Sequence, residues 1–256
     1  MFNDDLFLDY MDGEGFVQTC DIVSEVTAVI LAGGLGTRLR TVIGNSQKVM
    51  ANVGSKPFLE HILNQVSEAG ISNAVLCTGF MSEQVQDHFG EKYGEINLKY
   101  SVEHLLLGTG GALRFAMSQV QSDPFLVMNG DSHCDANLEE FFEAHVKNKA
   151  NVSLMLVEVP DTQRYGRVDF NDKFQITNFE EKGAVKGKGW INAGIYLVSK
   201  SVISELPKGH NVSLERDIFP ALIGKGFYAH CSKAAKFVDI GVPESYETAN
   251  KEYSGK

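Results

Sequence analysis

An apolar run that ends in a cluster of glycines constrains the fold more than any other stretch of the chain. Val26–Ala32 is apolar and rich in β-branched residues, which predicts a strand buried on both faces. Gly33-Gly34-Leu35-Gly36 follows directly, and glycines allow several backbone N–H groups to converge on one anion. The stretch therefore predicts the first strand of an α/β sheet, with a binding loop at its carboxyl end.

Strand and helix patterns alternate at short intervals over the first 150 residues. This alternation is typical of parallel strands joined by right-handed helical crossovers. We expect further strands at Ala74–Thr78, Asn97–Glu103, Phe125–Met128 and Val152–Val159, and helices from Pro57 to Gly70, over Ser82–Phe89, from a Thr109 cap to Val120, and over Leu138–Asn148.

The pattern changes after Pro160, where short strand-like pieces are separated by glycine-rich turns. These pieces are predicted to complete the same sheet, and a helix is predicted to close the chain. They lie at Gly166–Phe170, Gln175–Phe179, Ile191–Val198 and Phe237–Ile240, and the helix at Glu244–Tyr253. The predicted fold class is α/β: a single domain with a Rossmann-like, mixed and mostly parallel sheet flanked by helices.

The charge balance excludes several kinds of partner. The chain has 33 acidic and 23 basic residues, and its formal net charge of −10 argues against a nucleic-acid or anionic-membrane surface. Seven acids precede the first basic residue, Arg38, so residues 1–24 are interpreted as an acidic N-terminal extension of a domain at 25–256. This extension lacks the features of a signal peptide, and no apolar stretch is long enough for a membrane span.

The cysteines provide a further indication of the compartment. Cys20, Cys77, Cys134 and Cys231 are far apart and show no metal-ligand spacing. They are interpreted as reduced thiols, which predicts a cytoplasmic protein.

Three kinds of glycine-rich loop could follow the first strand. A P-loop requires Gly-Lys-Ser/Thr, which the chain lacks. The dinucleotide fingerprint G-x-G-x-x-G fails at its last position, which is Leu39. The third pattern is G-G-x-G-T-R-L followed after a short interval by lysine, and Gly33–Leu39 with Lys48 matches it in full.

This third pattern resembles the sugar-1-phosphate nucleotidyltransferases, and the resemblance extends from about Thr27 to the C-terminal helix. The family joins a sugar 1-phosphate to a nucleoside triphosphate and releases pyrophosphate. Since both reactants are anions, catalysis of this reaction depends on positioning and on cations placed at the phosphates. The resemblance implies a nucleotide-binding part at 25–150 and a sugar-binding part at 151–256.

The resemblance implies two catalytic cations. The arginine that matches Arg38 contacts the triphosphate and the leaving pyrophosphate, and the lysine that matches Lys48 lies over the reacting phosphates. The family lysine usually follows proline, whereas here it follows Gln47. This change removes a fixed φ and keeps the charge, so we expect activity with a slightly altered loop. Arg40 is interpreted as a surface cation.

The resemblance also implies Mg²⁺ as the cofactor, held by Asp131 and Asp239. Asp131 closes Asn129-Gly130-Asp131 directly after a predicted strand, which puts it beside the glycine loop. Asp239 matches a later D-x-G strand end of the family. Mg²⁺ prefers one or two carboxylates together with phosphate oxygens and water, so the pair would form a Lewis-acid site. His133 and Cys134 are interpreted as structural.

The remaining site residues follow from the same resemblance. Nucleotide binding is assigned to Leu31, Ala32, Gly33, Gly34, Gly36, Thr37, Gly108 and Thr109, where the glycines of Leu107–Ala112 are interpreted as leaving room for the base. Substrate binding is assigned, within the motifs Tyr165–Val168, Glu181-Lys182 and Asn192–Gly194, to Gly166, Glu181, Lys182, Asn192 and Gly194. Glu181 would accept from sugar hydroxyls, and Lys182 would contact the sugar phosphate.

The details of the motifs are most similar to the D-glycero-α-D-manno-heptose 1-phosphate guanylyltransferase branch of the family. The pattern lacks a proline after Arg38 and includes Gly189–Tyr196 and Ser213–Asp217. The expected partners are therefore heptose 1-phosphate and a nucleoside triphosphate, with GTP favoured, and the expected product is GDP-heptose for surface polysaccharide. The alternatives are a mannose 1-phosphate guanylyltransferase, an N-acetylmuramate 1-phosphate uridylyltransferase, and a regulatory subunit that binds a nucleotide sugar without catalysis. A homo-oligomer is compatible with the sequence.

Overall fold

A ten-stranded mixed sheet forms the centre of the computed structural model, which describes residues 23–180, 186–232 and 235–253. The strands are β1 Thr27–Leu31, β2 Asn52–Val53, β3 Lys56–Pro57, β4 Asn73–Thr78, β5 Lys92–Tyr93, β6 Ile96–Val102, β7 Phe125–Asn129, β8 Ser132–Cys134, β9 Val152–Val159, β10 Arg167–Phe170, β11 Ile176–Glu180, β12 Gly189–Val198, β13 Phe227–Ser232 and β14 Phe237–Asp239.

Helices connect and cover these strands. They are α1 Arg40–Ile43, α2 Phe58–Glu68, α3 Ser82–Phe89, α4 Gly108–Ala116, α5 Leu138–Lys147, α6 Lys200–Ser204, α7 Phe219–Leu222 and α8 Pro243–Tyr253. Two 3₁₀ turns, Lys48–Met50 and Met117–Gln119, and a π-helical turn, Leu214–Ile218, complete the regular structure.

The sheet has a parallel part and an antiparallel part. Its strand order is β11-β10-β12-β7-β1-β4-β6-β5, and β9 pairs with both β12 and β13. Strands β7, β1, β4 and β6 are mutually parallel, whereas β12 runs antiparallel to β7, β9 and β10. This confirms the predicted fold class, a mixed and mostly parallel α/β sheet in a single domain.

The register of the parallel strands aligns their carboxyl ends at one edge of the sheet. Leu31 at the end of β1 pairs with Asn129 of β7 and with Cys77 of β4. Thr78 at the end of β4 pairs in turn with Val102 of β6. The segments that follow these strands therefore emerge side by side, which is where open α/β sheets bind their ligands.

Alternate residues of β1 face opposite layers of the core. Ala28 and Ile30 pack into a cluster that includes the apolar face of α2, whereas Val29 packs into a second cluster that includes α4. A strand covered by helices on both faces must be apolar at successive positions, and this explains the continuous apolar run in the sequence.

Most predicted elements form within one or two residues of their expected ends. The main omission is β13, which pairs in parallel with β9. Its sequence, Phe-Tyr-Ala-His-Cys-Ser, mixes buried and half-buried positions with polar residues, so its apolar pattern is weak. The short helices α1, α6 and α7 were also missed, because four or five residues carry too little periodicity for recognition.

The first described residue is already part of the core. Val23 is 4% exposed and belongs to the core. Residues 1–22, which include Cys20, lie outside the described residues. The interpretation of 1–24 as an extension, and the division of the domain at residue 150, stay predictions.

The buried His145 makes the stability of the fold sensitive to acid. His145 is 3% exposed, its Nδ1 lies 2.8 Å from Ser153 Oγ, and burial lowers its pKa from 6.5 to about 4. Between about pH 4 and pH 6.5, His145 is protonated in the unfolded chain but neutral in the folded chain. The stability contributed by neutral His145 is thus present above pH 6.5 and is lost, by roughly 3 kcal/mol, as the pH falls toward 4.

We expect His145→Gln to reduce this acid sensitivity, since glutamine keeps a polar group for Ser153 and does not titrate. The measurement is the free energy of unfolding by urea at about pH 7 and about pH 4.5, for the wild type and the variant. The decrease between the two pH values should be smaller in the variant. Equal decreases would show that other groups account for the acid sensitivity.

Candidate active site

Two adjoining cavities lie at the carboxyl edge of the parallel strands. The first, of about 490 Å³, lies beside the glycine loop, and the second, of about 510 Å³, lies beside β12 and β14. Their walls share five residues: Arg38, Lys48, Asn129, Asp131 and Gly241. A molecule in either cavity would therefore touch the same two cations and the same acid.

The glycine loop forms one wall of the first cavity. All eight residues predicted to bind nucleotide line this cavity: Leu31, Ala32, Gly33, Gly34, Gly36, Thr37, Gly108 and Thr109. Gly36 has φ of +59°, and a Cβ added there would lie 3.0 Å from Lys48 Cβ. A larger residue at position 36 would be strained and would press on the lysine, so glycine sets the distance between the loop and Lys48.

Lys48 and Asp131 form an ion pair where the two cavities meet. Lys48 Nζ donates to Asp131 Oδ2 at 2.5 Å. The lysine side chain is 13% exposed and the aspartate side chain 46% exposed. The pair compensates the charge of a largely buried ammonium, and it keeps the lysine directed at the shared wall. Arg38 is exposed and lines both cavities.

The residue before Lys48 has a backbone conformation that proline could also adopt. Gln47 lacks the ring that fixes φ in proline, yet its φ is −66° and its ψ 135°, within the range that a proline ring imposes. The expectation of a slightly altered loop stays a prediction. Arg40, interpreted as a surface cation, is exposed, and its guanidinium carbon lies 4.7 Å from the centre of the Phe80 ring.

Asp131 and Asp239 come together through a short two-stranded ribbon. Strand β14 pairs with β8 so that Asp239 lies opposite Ser132, next to Asp131. The N–H of Ile240 donates to the carbonyl oxygen of Asp131 at 2.9 Å. Both acids line the second cavity, as the prediction of a shared metal site requires.

Three hydrogen bonds orient the carboxylate of Asp239. Oδ2 accepts from the hydroxyl of Tyr165 at 2.7 Å, and Oδ1 accepts from Gly241 N at 2.9 Å and from Ser245 Oγ at 3.0 Å. Burial, with the nearby Asp239, raises the pKa of Tyr165 well above its ordinary value, so the phenol stays protonated and donates. A carboxylate has about four acceptor positions, so one remains for a further ligand.

The residues predicted to bind the sugar are partly brought together. Gly166, Asn192 and Gly194 line the second cavity, whereas Glu181 and Lys182 lie outside the described residues. A shift in strand pairing between Asn192 and Tyr196 interrupts β12 at this point. The side chain of Asn192 donates to Tyr196 Oη at 2.9 Å and accepts from Gly194 N at 2.9 Å, and these bonds fix the wall of the cavity.

The start of α4 corrects one expectation. Thr109 does not cap the helix: its hydroxyl donates to Glu215 Oε2 at 2.8 Å and accepts from Leu214 N at 2.8 Å. A Cβ added at Gly108 would lie 2.5 Å from Val212 O. The glycines admit a neighbouring backbone segment, although Gly108 and Thr109 also line the first cavity.

Three charged residues of the site escaped the sequence reasoning. Glu103 follows β6 and lines the first cavity, while Arg164 and Glu215 line the second. Glu103 could have been found as the acid at the end of a predicted parallel strand. Arg164 adjoins the Tyr165–Val168 motif, and its Nη2 lies 3.9 Å from Asp239 Oδ2. Glu215 belongs to a motif that was noted without a role.

The thiols near the site are unreactive. Among the described residues, burial raises the pKa of both Cys77 and Cys134 to about 12. A buried thiol with such a pKa stays protonated, so Cys77 contributes shape to the first cavity.

Among the described residues no helix combines the length and the apolar character that crossing a membrane requires.

The fold and the paired cavities define a nucleotidyltransferase, and comparison with known sequences agrees. Residues 27–256 match the family described as Nucleotidyl transferase, and the chain belongs to this family. It is an enzyme of the nucleotidyltransferase class, as the sequence pattern predicted.

Individual relatives are similar over most of this chain. A D-glycero-alpha-D-manno-heptose 1-phosphate guanylyltransferase of Aneurinibacillus thermoaerophilus is 36% identical, across 88% of this chain and 97% of the relative. A mannose-1-phosphate guanylyltransferase of Mycobacterium tuberculosis is 34% identical, across 87% of this chain and 63% of that longer relative.

A solved structure is similar over nearly its full length. HddC from Yersinia pseudotuberculosis superposes with a TM-score of 0.79 at 33% identity, covering 89% of this chain and 99% of that one. The same protein complexed with GMP-PN superposes with a TM-score of 0.78.

Proposed function

We propose that the protein transfers GMP from GTP to D-glycero-α-D-manno-heptose 1-phosphate, forming GDP-heptose and releasing pyrophosphate. The sharing of Arg38, Lys48 and Asp131 by two adjoining cavities carries this proposal. In the reaction, an oxygen of the sugar phosphate attacks the α-phosphorus of GTP, and the bond to the bridging oxygen of pyrophosphate breaks. Two substrates that react at one phosphorus atom need two cavities that meet at one charged wall.

Arg38 and Lys48 are assigned the catalytic role. The guanidinium of Arg38 can hold two phosphate oxygens at once and brings a positive charge to them. Lys48 supplies a point charge from the boundary between the cavities, where the attacked phosphorus would lie. Both cations reduce the repulsion between the anionic reactants and stabilise the charge that develops during transfer.

Asp131 and Asp239 are assigned to a divalent cation, for which Mg²⁺ is the best fit. Within residues 23–180, 186–232 and 235–253, no group of three or more His, Cys, Asp or Glu side chains could hold a metal ion. Two carboxylates without softer ligands suit Mg²⁺, which completes its shell with water and phosphate oxygens. When bound, Mg²⁺ would act as a Lewis acid on the phosphates. Tyr165 and Ser245 hold the carboxylate of Asp239 ready for this ion.

The second cavity is assigned to the sugar 1-phosphate. Asn192 and Glu215 provide polar groups for hydroxyls, and Arg164 provides a cation beside Asp239. Glu181 and Lys182 keep their assignments to the sugar and its phosphate as proposals from the sequence pattern. An acceptor-rich wall next to cations suits a molecule with many hydroxyls and one phosphate.

The choice of guanine rests on Glu103. Its carboxylate lines the first cavity, and Oε1 lies 2.7 Å from the position that a Cβ on Gly33 would take. Guanine presents two neighbouring N–H donors on its Watson–Crick edge, which one carboxylate can accept together. Partial burial raises the pKa of Glu103, and the N–H of Leu107 opposes this shift by donating to the carboxylate at 3.4 Å. A half-buried acceptor of this kind gains most from a partner with two donors.

Mannose 1-phosphate is the second candidate acceptor, because a similar relative carries the name mannose-1-phosphate guanylyltransferase. Uridylyl transfer to N-acetylmuramate 1-phosphate fits less well, since uracil offers one N–H where guanine offers two. A regulatory subunit without catalysis would have no need of a lysine, an arginine and two acids around one boundary.

The test is release of pyrophosphate from each of the four common nucleoside triphosphates, paired with a panel of sugar 1-phosphates. We expect the largest kcat/KM for GTP with the heptose 1-phosphate, and no release after removal of divalent ions. Largest activity with mannose 1-phosphate would transfer the proposal to that sugar. Binding of a nucleotide sugar without release from any pair would support the regulatory alternative.

We expect Asp131→Asn and Asp239→Asn to abolish Mg²⁺-dependent turnover, because each removes a negative ligand while keeping the shape of the side chain. Lys48→Ala should lower kcat by roughly 10²- to 10³-fold, since it removes a charge that stabilises the transition state. Steady-state kinetics with Mg²⁺ titration provide the measurement, and thermal unfolding controls for folding. If Asp239→Asn has the same kcat and the same Mg²⁺ dependence as the wild type, Asp239 is not a metal ligand.

We expect Glu103→Gln to weaken the preference for GTP, because an amide can accept only one of guanine's two donors while also donating. The ratio of kcat/KM for GTP to that for UTP should fall by roughly 10- to 100-fold. Glu91→Gln, on an exposed residue outside both cavities, is the matched control. An unchanged ratio for Glu103→Gln would exclude the carboxylate from base recognition.

A further inference from the structure

Gln47 is buried directly before the catalytic lysine and is tied to three segments of the fold. It is 1% exposed, although glutamine is usually a surface residue. We propose that Gln47 is a positioning residue, which holds Lys48 in place between the glycine loop and Asp131. The inference rests on the proposed function, because it assigns Gln47 an effect on turnover.

The side-chain amide of Gln47 joins the end of β1 to the residue after Lys48. Its Nε2 donates to the carbonyl oxygen of Ala32, and its Oε1 accepts from Val49 N at 2.6 Å. Ala32 immediately precedes the glycine loop, so one amide fixes the spacing between that loop and the 3₁₀ turn that carries Lys48. Both bonds are buried, where hydrogen bonds are strongest and their loss costs most.

The backbone of Gln47 makes the third connection. Its N–H donates to Oε1 of Gln84 at 2.8 Å, and Gln84 belongs to α3. Gln84 Nε2 reaches the carbonyl oxygen of Asn45 at 3.5 Å, so α3 contacts the loop on both sides of Ser46. A proline could adopt the same φ but could form none of these three bonds, because it has neither the amide side chain nor the N–H.

The three bonds matter for chemistry because Lys48 must reach its position within a fraction of an ångström. Lys48 Cβ lies 3.0 Å from the position that a Cβ on Gly36 would take, and Nζ lies 2.5 Å from Asp131. A shift of the turn by about 1 Å would misplace the ammonium relative to the α-phosphate, and such displacements can lower turnover by roughly 10²-fold. Gln47 contributes no charge, so its effect must pass through the lysine.

The experiment is a double-mutant cycle with Gln47→Leu and Lys48→Ala, read as kcat and KM. Leucine keeps most of the volume and the backbone N–H, and removes both side-chain bonds. We expect kcat of Gln47→Leu to fall by roughly 10- to 100-fold with KM for GTP within about 3-fold of wild type. In the Lys48→Ala background the same change should lower kcat by less than about 3-fold, because the ammonium that Gln47 positions is already absent.

Gln84→Leu tests the backbone connection without touching the buried amide, and Gln86→Leu on the same helix is its matched control. We expect Gln84→Leu to lower kcat in the same direction as Gln47→Leu but less, and Gln86→Leu to leave it unchanged. Thermal unfolding verifies folding, and if Gln47→Leu does not fold, the cycle is carried out with Gln84→Leu. A kcat within about 2-fold of wild type for both variants, or equal losses in both backgrounds, would overturn the positioning role.

Turnover by the wild-type enzyme distinguishes a failure of the proposed function from a failure of the inference about Gln47. Absence of turnover by the wild type with every substrate pair contradicts the proposed function, and the inference falls with it. Turnover by the wild type together with full activity of the Gln47 and Gln84 variants contradicts the inference alone.

Discussion

The pairing of β1 with β7 and β4 is the constraint on which the site depends. Because Leu31 lies opposite both Asn129 and Cys77, the glycine loop, Asp131 and the segment after β4 leave the sheet at the same level. A shift of one residue would turn every side chain of β1 to the other face and would separate the loop from the acid. The apolar side chains of β1, buried on both faces, fix this register against such a shift.

The proposed reaction brings like charges together. Its two substrates would carry several negative charges, the chain as a whole is acidic, and the attack would require two phosphates to meet. Two cations, Arg38 and Lys48, lie where the cavities join, together with Asp131, which follows β7. Asp239, which lines the second cavity, comes from β14, a distant part of the chain. Before any ligand arrives, Asp131 compensates Lys48, so neither group is left as an unpaired charge in a partly buried position.

Local patterns in the sequence predicted much of this arrangement. The apolar run before Gly33 and the position of Asp131 after a strand were sufficient to predict an anion-binding edge. Long-range contacts were beyond such reasoning: the sequence cannot show that a Cβ at Gly108 would meet Val212, or that Thr109 bonds Glu215 rather than capping a helix. The conformation of Gln47 was beyond such reasoning too, since it depends on hydrogen bonds to Ala32 and Gln84.

Under the proposed function, the shared wall of the two cavities also determines how the reaction ends. A nucleotide sugar contains both halves of the reactants, so it would extend across the boundary and fill the nucleotide side and the sugar side together. Neither substrate could then enter, and the product would inhibit competitively against both. The rate at which this single extended molecule leaves would set the pace of the enzyme whenever the product accumulates, which gives the cell a direct way to match synthesis to consumption.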